Sequence, residues 1–157
     1  MKRILFVFVV LAGLFSVSAS AASKKVAVYV EGDISDANKK VVTAAVMSRL
    51  SGNKEYAPFE RTDAFISALT KEQDYQLSGE VPENQIRAVG QRLGVDYVIA
   101  VDVTHNDRVC HMTARLIELE TGAILKSVST QRKYTDSSVY TALGNNVAYR
   151  LLSKKSK

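Results

Sequence analysis

One cysteine, two prolines and no tryptophan in 157 residues already exclude a good deal. With Cys110 alone, no intramolecular disulfide can form, so the fold must rest on its apolar core. No cysteine stands beside the small-residue step Ala19-Ser20-Ala21, where a bacterial lipoprotein would need one, so no lipid anchor is expected. Charge of one sign is also scarce. Setting aside Lys2 and Arg3 takes the 21 basic residues to 19 against 16 acidic ones, and Lys154, Lys155 and Lys157 account for the +3 that remains. Short basic pairs such as Lys39-Lys40 and Arg132-Lys133 are not the clustered stripe that offsets phosphate, so no nucleic-acid partner is expected. A Gly-x-Ser-x-Gly elbow and a P-loop are absent, as are internal repeats, low-complexity stretches and interdomain linkers.

Only one long apolar run is present, Ile4 to Val17, directly after Met1-Lys2-Arg3. It is shorter than the roughly 20 residues that a transmembrane helix needs. Its basic flank and small-residue site predict a secretory signal over residues 1–21, cleaved near Ala21-Ala22. Residues 22–157 are then one soluble domain of 157 minus 21, or 136, residues, with a basic C-terminal tail. A domain of that size buries roughly two-thirds of its chain surface. No later run suggests a transmembrane span.

The periodicity within that domain changes in an ordered way. Val26 to Val30 is β-branched and stopped by Gly32 and Asp33, which predicts an inner strand. Val42, Val46 and Leu50 share one helical face over residues 36–50, and Gly52-Asn53 ends it. Tyr56 to Arg61 reads as a short strand, placed at an edge or bulge by Pro58, and Thr62 as the cap of a helix burying Phe65 and Leu69. Pro82 opens a further helix through Ile86, Val89 and Leu93, closed by Gly94. Val95 to Val103 is almost wholly apolar, which predicts a strand buried on both faces. A turn at Asn106-Asp107 leads into an alternating strand with Cys110, Met112, Ala114 and Leu116 inward and His111, Thr113 and Arg115 outward. Thr121-Gly122 makes the next corner, Ile124 to Arg132 returns, and Asp136 or Ser137 caps a helix with Val139, Leu143, Val147 and Leu151 buried. The expected fold is an α/β two-layer sandwich. Its mixed five-stranded sheet ends in a C-terminal three-strand antiparallel meander, with helices mainly on one face.

Candidate chemistry is thin. His105, Cys110, His111 and Asp107 gather around one hairpin, but zinc needs converging ligands, and neighbouring Cys110 and His111 point to opposite sheet faces. No metal and no cofactor is expected. Glu118 and Glu120 fall two apart on a strand, yet they border an exposed corner rather than a cleft suited to acid–base work. Gly90 and Gly94 end a helix, whereas phosphate loops precede one. Seven tyrosines remain as the principal exposed aromatics. Tyr75, Tyr134 and Tyr140, near loops or helix starts, are the candidate protein-contact residues, the alternative being that each packs its ring on a neighbour.

The run LSGEVPENQIRAVGQRLGVDYVIAVDV followed by ARLIELETGAIL resembles a group of bacterial envelope domains. That group comprises CsgG, the TolB amino-terminal domain and the penicillin-binding-protein activators of the LpoB type. The helix-ending Gly94-Val95-Asp96-Tyr97 step and the Arg115 to Gly122 turn carry the likeness, which extends over most of residues 26–152. It implies a periplasmic, non-enzymatic role in envelope assembly or secretion, by docking on other envelope proteins, often as a homo-oligomer. The chain departs from most of these relatives in lacking their acylated cysteine, and from the pore formers in having no segment for long membrane hairpins. An adaptor acting by protein contact is therefore the leading expectation. Small-ligand (glycan or peptide) binding on the open sheet face is the alternative, and a metal-dependent or hydrolytic enzyme the third.

Overall fold

A computed structural model describes residues 23–59, 67 and 83–153. The expected signal segment, Thr62, the Phe65 and Leu69 helix, Tyr75 and the lysine tail lie outside the described residues. The elements in chain order are β1 (Lys24–Gly32), α1 (Asp36–Ser51), β2 (Tyr56–Pro58), α2 (Glu83–Leu93), β3 (Tyr97–Asn106), β4 (Val109–Glu118), β5 (Ile124–Lys133) and α3 (Ser138–Leu152).

The strands form one five-stranded sheet in the order β2-β1-β3-β4-β5. Strand β1 runs parallel to β2 and β3, with Val26 opposite Tyr97 and Gly32 opposite Val103. Strands β3, β4 and β5 form the expected antiparallel meander. Pro58 stands on the outermost strand, where its missing N–H costs the sheet nothing. Strand β3 is central and buried on both faces from Tyr97 to Val101, as its almost wholly apolar run requires.

The two faces are covered unequally. Helices α1 and α3 lie side by side over one face, bringing Val42, Val46 and Leu50 together with Leu143, Val147 and Leu151. Beneath them lie Val26, Val28, Ile99, Val101, Met112, Ala114 and Leu116. Gly144 permits this close approach: a Cβ there would stand 3.1 Å from that of Ala45. Helix α2 packs on the opposite face, where Val89 and Leu93 meet Ala27, Val98, Ala100, Ile117 and Leu119. The alternation in β4 is the expected one, Cys110, Met112, Ala114 and Leu116 inward, until a bulge between Leu116 and Ile117 ends the regular register.

Three local boundaries differ from the sequence expectation. Strand β2 is Tyr56–Pro58 with Phe59 outside it, and the rest of the expected strand to Arg61 lies outside the described residues. Strand β3 begins at Tyr97 rather than Val95, because Val95 N–H still closes α2 on the Gly90 carbonyl while Gly94 turns at φ 71°. Asp96 then ties the sheet: its carboxylate accepts from Lys25 N–H at 2.7 Å, and its own N–H donates to the Lys25 carbonyl at 3.0 Å. The hairpin turn is Asp107-Arg108, since Asn106 still pairs with Val109 and Asp107 alone takes positive φ, at 52°. The cap of α3 comes from Asp136, whose Oδ1 accepts from Ser138 N–H at 2.8 Å, whereas Ser137 makes no side-chain cap bond.

Gly32 is the tightest point in the frame. It has φ 116°, and a Cβ there would collide with the Val103 carbonyl on the neighbouring strand. Gly32→Ala is expected to lower unfolding free energy by at least about 1–3 kcal/mol. Gly52→Ala, where the nearest atom is 4.0 Å away, should stay within about 0.5 kcal/mol of the parent. Urea denaturation of the two variants checks the difference.

Candidate protein-contact site

At one end of the sheet the sequence brings three aromatic rings together. Position 105 continues the inward series Ile99, Val101 and Val103, so His105 emerges on the helix-covered face where the cover runs out. Directly opposite it in the ladder is Cys110. Strand β5 returns beside the hairpin until Lys133 faces Val109, and Tyr134 N–H donates to the Arg108 carbonyl at 2.6 Å. The chain then turns through Asp136 into α3, whose first turn places Tyr140 against the sheet.

His105 meets both tyrosines nearly edge to face, and the tyrosines meet each other at a tilt. His105 lies 5.1 Å from Tyr134 at 81° and 5.8 Å from Tyr140 at 73°, and the two tyrosines are 5.7 Å apart at 54°. Such pairs contribute about 0.5–1.5 kcal/mol each beyond their buried area. His105 Nε2 and Tyr140 Oη are 2.9 Å apart, within hydrogen-bond distance. Burial, then the neighbouring Tyr134 and Cys110, push the Tyr140 phenol up to about 12. It therefore keeps its proton at neutral pH and donates to His105 Nε2 whenever that nitrogen is unprotonated.

The candidate tyrosines divide by position. Tyr140 is 3% exposed and serves as the inner wall, whereas Tyr134 is 37% exposed and forms the outer surface. Around it, His105, Arg108, Arg132 and Lys133 are exposed. His105 is exposed at the end of its strand, and its ring belongs to this cluster. The signal was present in the strand register that it shares with Val103.

Elsewhere among the described residues, several candidate reactive groups are engaged structurally. Cys110 is fully buried, and burial pushes its thiol up, away from the reactive thiolate. His111 points to the face opposite Cys110, and among the described residues no three His, Cys, Asp or Glu side chains are grouped to hold an ion. Glu118 closes β4 and Glu120 stands beyond it in the corner, so they do not share a strand face. The Glu118 carboxylate accepts from Thr121 Oγ1 at 2.7 Å and Tyr97 Oη at 3.0 Å, which holds it below the usual carboxylate range, Thr121 first. Gly90 has a packing role that its sequence context did not disclose: a Cβ there would overlap the Leu119 side chain.

No protein family matches the sequence, and no curated protein does. Solved structures do match. The C-terminal domain of LpoB from Salmonella enterica aligns over 74% of this chain and 87% of its own, with a TM-score of 0.50 and 17% identity. The fold is LpoB-like. The PelC dodecamer from Paraburkholderia phytofirmans aligns over 85% of this chain and 89% of its own, at TM-score 0.51 and 16% identity. Lipoprotein GNA1162 from Neisseria meningitidis gives 86% and 99%, at TM-score 0.51 and 18% identity. At these identities the likeness concerns the fold. Within the wider group that the sequence resembles, the LpoB-like part receives the support, and the CsgG and TolB parts receive less.

The Tyr140 phenol supplies a pH prediction. Its folded-state value lies above the ordinary 10, so its contribution is fully present below pH 10 and is lost as pH rises toward about 12. Tyr140→Phe should lose about 0.5–1.5 kcal/mol at pH 7 with the hydrogen bond to His105. It should also show a shallower loss of stability above pH 10 than the parent. Thermal unfolding across pH 7 to 12 measures both.

Proposed function

We propose that residues 22–157 form an exported, periplasmic envelope domain that acts by protein–protein contact and performs no catalysis. The observation that carries this reading is Tyr134, an exposed ring held edge to face by His105 and at a tilt by Tyr140 at the hairpin end of the sheet. A tyrosine fixed in this way offers apolar area and a hydroxyl with little side-chain freedom left to lose on binding. Arg108, Arg132 and Lys133 provide the polar rim around it. The LpoB-like fold supports membership of the penicillin-binding-protein-activator type, and with it a role in envelope assembly. Self-association has a precedent in the same fold, since the PelC structure is a dodecamer. Cys110, Glu118 and Asp136 support the non-catalytic part of the reading, because each is buried or committed to local hydrogen bonds.

Capture from an envelope extract tests the proposal. The mature protein is expected to retain one discrete envelope protein, and Tyr134→Ser should weaken that association by about tenfold or more. Circular dichroism would establish that the variant keeps the parent fold. Equal capture by Tyr134→Ser, or turnover of a substrate by the protein without any partner, would overturn the reading.

A further inference from the structure

Strand β5 is an open edge of the sheet: among the described residues no strand lies beyond it. It has 10 residues, whereas β2, at the other edge, has 3. Tyr134 N–H bonds to the Arg108 carbonyl on the β4 side. An antiparallel ladder alternates, so Val128, Thr130 and Arg132 also turn their backbone groups toward β4. The N–H and C=O groups of Ser127, Ser129, Gln131 and Lys133 therefore point outward. A side chain already marks that row, since Arg150 Nη1 donates to the Ser129 carbonyl at 2.6 Å. Such a row is a template for another strand, and proteins commonly shorten, kink or cover it. Here the register with β4 is regular from Lys126 to Lys133, and no proline interrupts the strand.

Charge on this edge selects among strands. Lys126, Arg132 and Lys133 lie on β5 with no acid, and β4 beside it has one, Glu118, at its last position. Glu118 is bound by Thr121 and Tyr97. Arg150 reaches the edge from α3, and among the described residues it is in no ion pair, nor are the three cations of β5. The neighbouring acids lie off the strand. Glu55 shares a groove with Lys126 and stands 3.7 Å from Lys24, Asp136 caps α3 beyond Tyr134, and Asp107 is in the turn before β4. A second copy of β5 paired antiparallel about Ser129 would set Lys126 opposite Arg132 on both sides of the axis. Like charges directly opposite destabilise a ladder. A strand carrying carboxylates meets the reverse condition.

We propose that β5 accepts an acidic, extended segment of a partner protein as a further strand of the sheet. Main-chain bonds to Ser127, Ser129, Gln131 and Lys133 hold the segment, and its carboxylates meet Lys126, Arg132 and Arg150 on the helix-covered side. Tyr134 follows Lys133 directly and meets the end of the added strand. The inference rests on the protein-contact reading and adds the partner's chemistry to it.

Peptides of about ten residues, the length of β5, test it on residues 22–157, the form expected after export. A peptide alternating glutamate and threonine is expected to bind, its counterpart with lysine for glutamate is not, and salt should weaken the binding. Amide hydrogen exchange followed by NMR reads the geometry. The saturating glutamate peptide should slow the amides of Ser127, Ser129, Gln131 and Lys133 by about tenfold or more, leaving Val128 and Thr130, already in the ladder, unchanged. Gln131→Pro removes one outward N–H where an edge strand tolerates proline, and should weaken binding about tenfold. Arg150→Glu, at an exposed position, should weaken it as much without touching the strand backbone. Thermal unfolding would verify that both variants remain folded. Equal binding of the two peptides, or no added protection at the four outward amides, would overturn the inference. Protection of those amides by self-association, without any peptide, would assign the edge to a second copy instead. The two readings fail separately: equal capture by Tyr134→Ser counts against the Tyr134 contact alone, and missing amide protection counts against the edge alone.

Discussion

Strand β3 is the constraint on which the other elements depend. It joins a parallel pairing with β1 to an antiparallel pairing with β4, so every backbone group along its length must find a partner in the sheet. Its side chains alternate between two covers: Ile99, Val101 and Val103 under α1 and α3, and Val98 and Ala100 under α2. A polar residue anywhere from 98 to 101 would be buried without a partner. The cover then ends, and Thr104, His105 and Asn106 come into solvent on the same strand. The position of the Tyr134 cluster follows from where that burial stops.

The two ends of the sheet differ because the helices cover it unequally. At the hairpin end, the first turn of α3 supplies Tyr140 as a buried wall, so the exposed ring of Tyr134 is held from behind. At the other end, α3 finishes at Leu152 and the bulge in β4–β5 leaves Ile124 and Leu125 uncovered. One end therefore presents a single exposed aromatic against a buried wall, and the other an open groove lined by Leu125 and Tyr149. Surfaces of such different composition suit different partners.

Much of the frame was legible in the residue pattern. The alternation from Val109, the apolar run into β3 and the stripe Val139, Leu143, Val147 and Leu151 each correspond to one buried face in the structure. Boundaries were less legible. Val95 is as apolar as the strand after it, and only its bond to the Gly90 carbonyl places it with the helix. The stripe of α2 announced a buried face but not which side of the sheet would receive it, because amphipathicity specifies a direction around a helix and not its destination. The ring cluster around His105 was not legible for a related reason: its surroundings in sequence are polar, while its neighbours in space are two tyrosines.

By itself the sequence determined the order of the described elements and most of their inward residues, since these follow from periodicity and residue type along the chain. Tertiary structure alone decided that Tyr134, Tyr140 and His105 form one cluster, that Asp96 ties β3 to β1, and that Leu125 and Tyr149 share a groove. Apart from Tyr134 with Tyr140, each of those contacts joins residues far apart in the chain. Such contacts depend on strand register and helix placement, which are set only when the whole core packs at once.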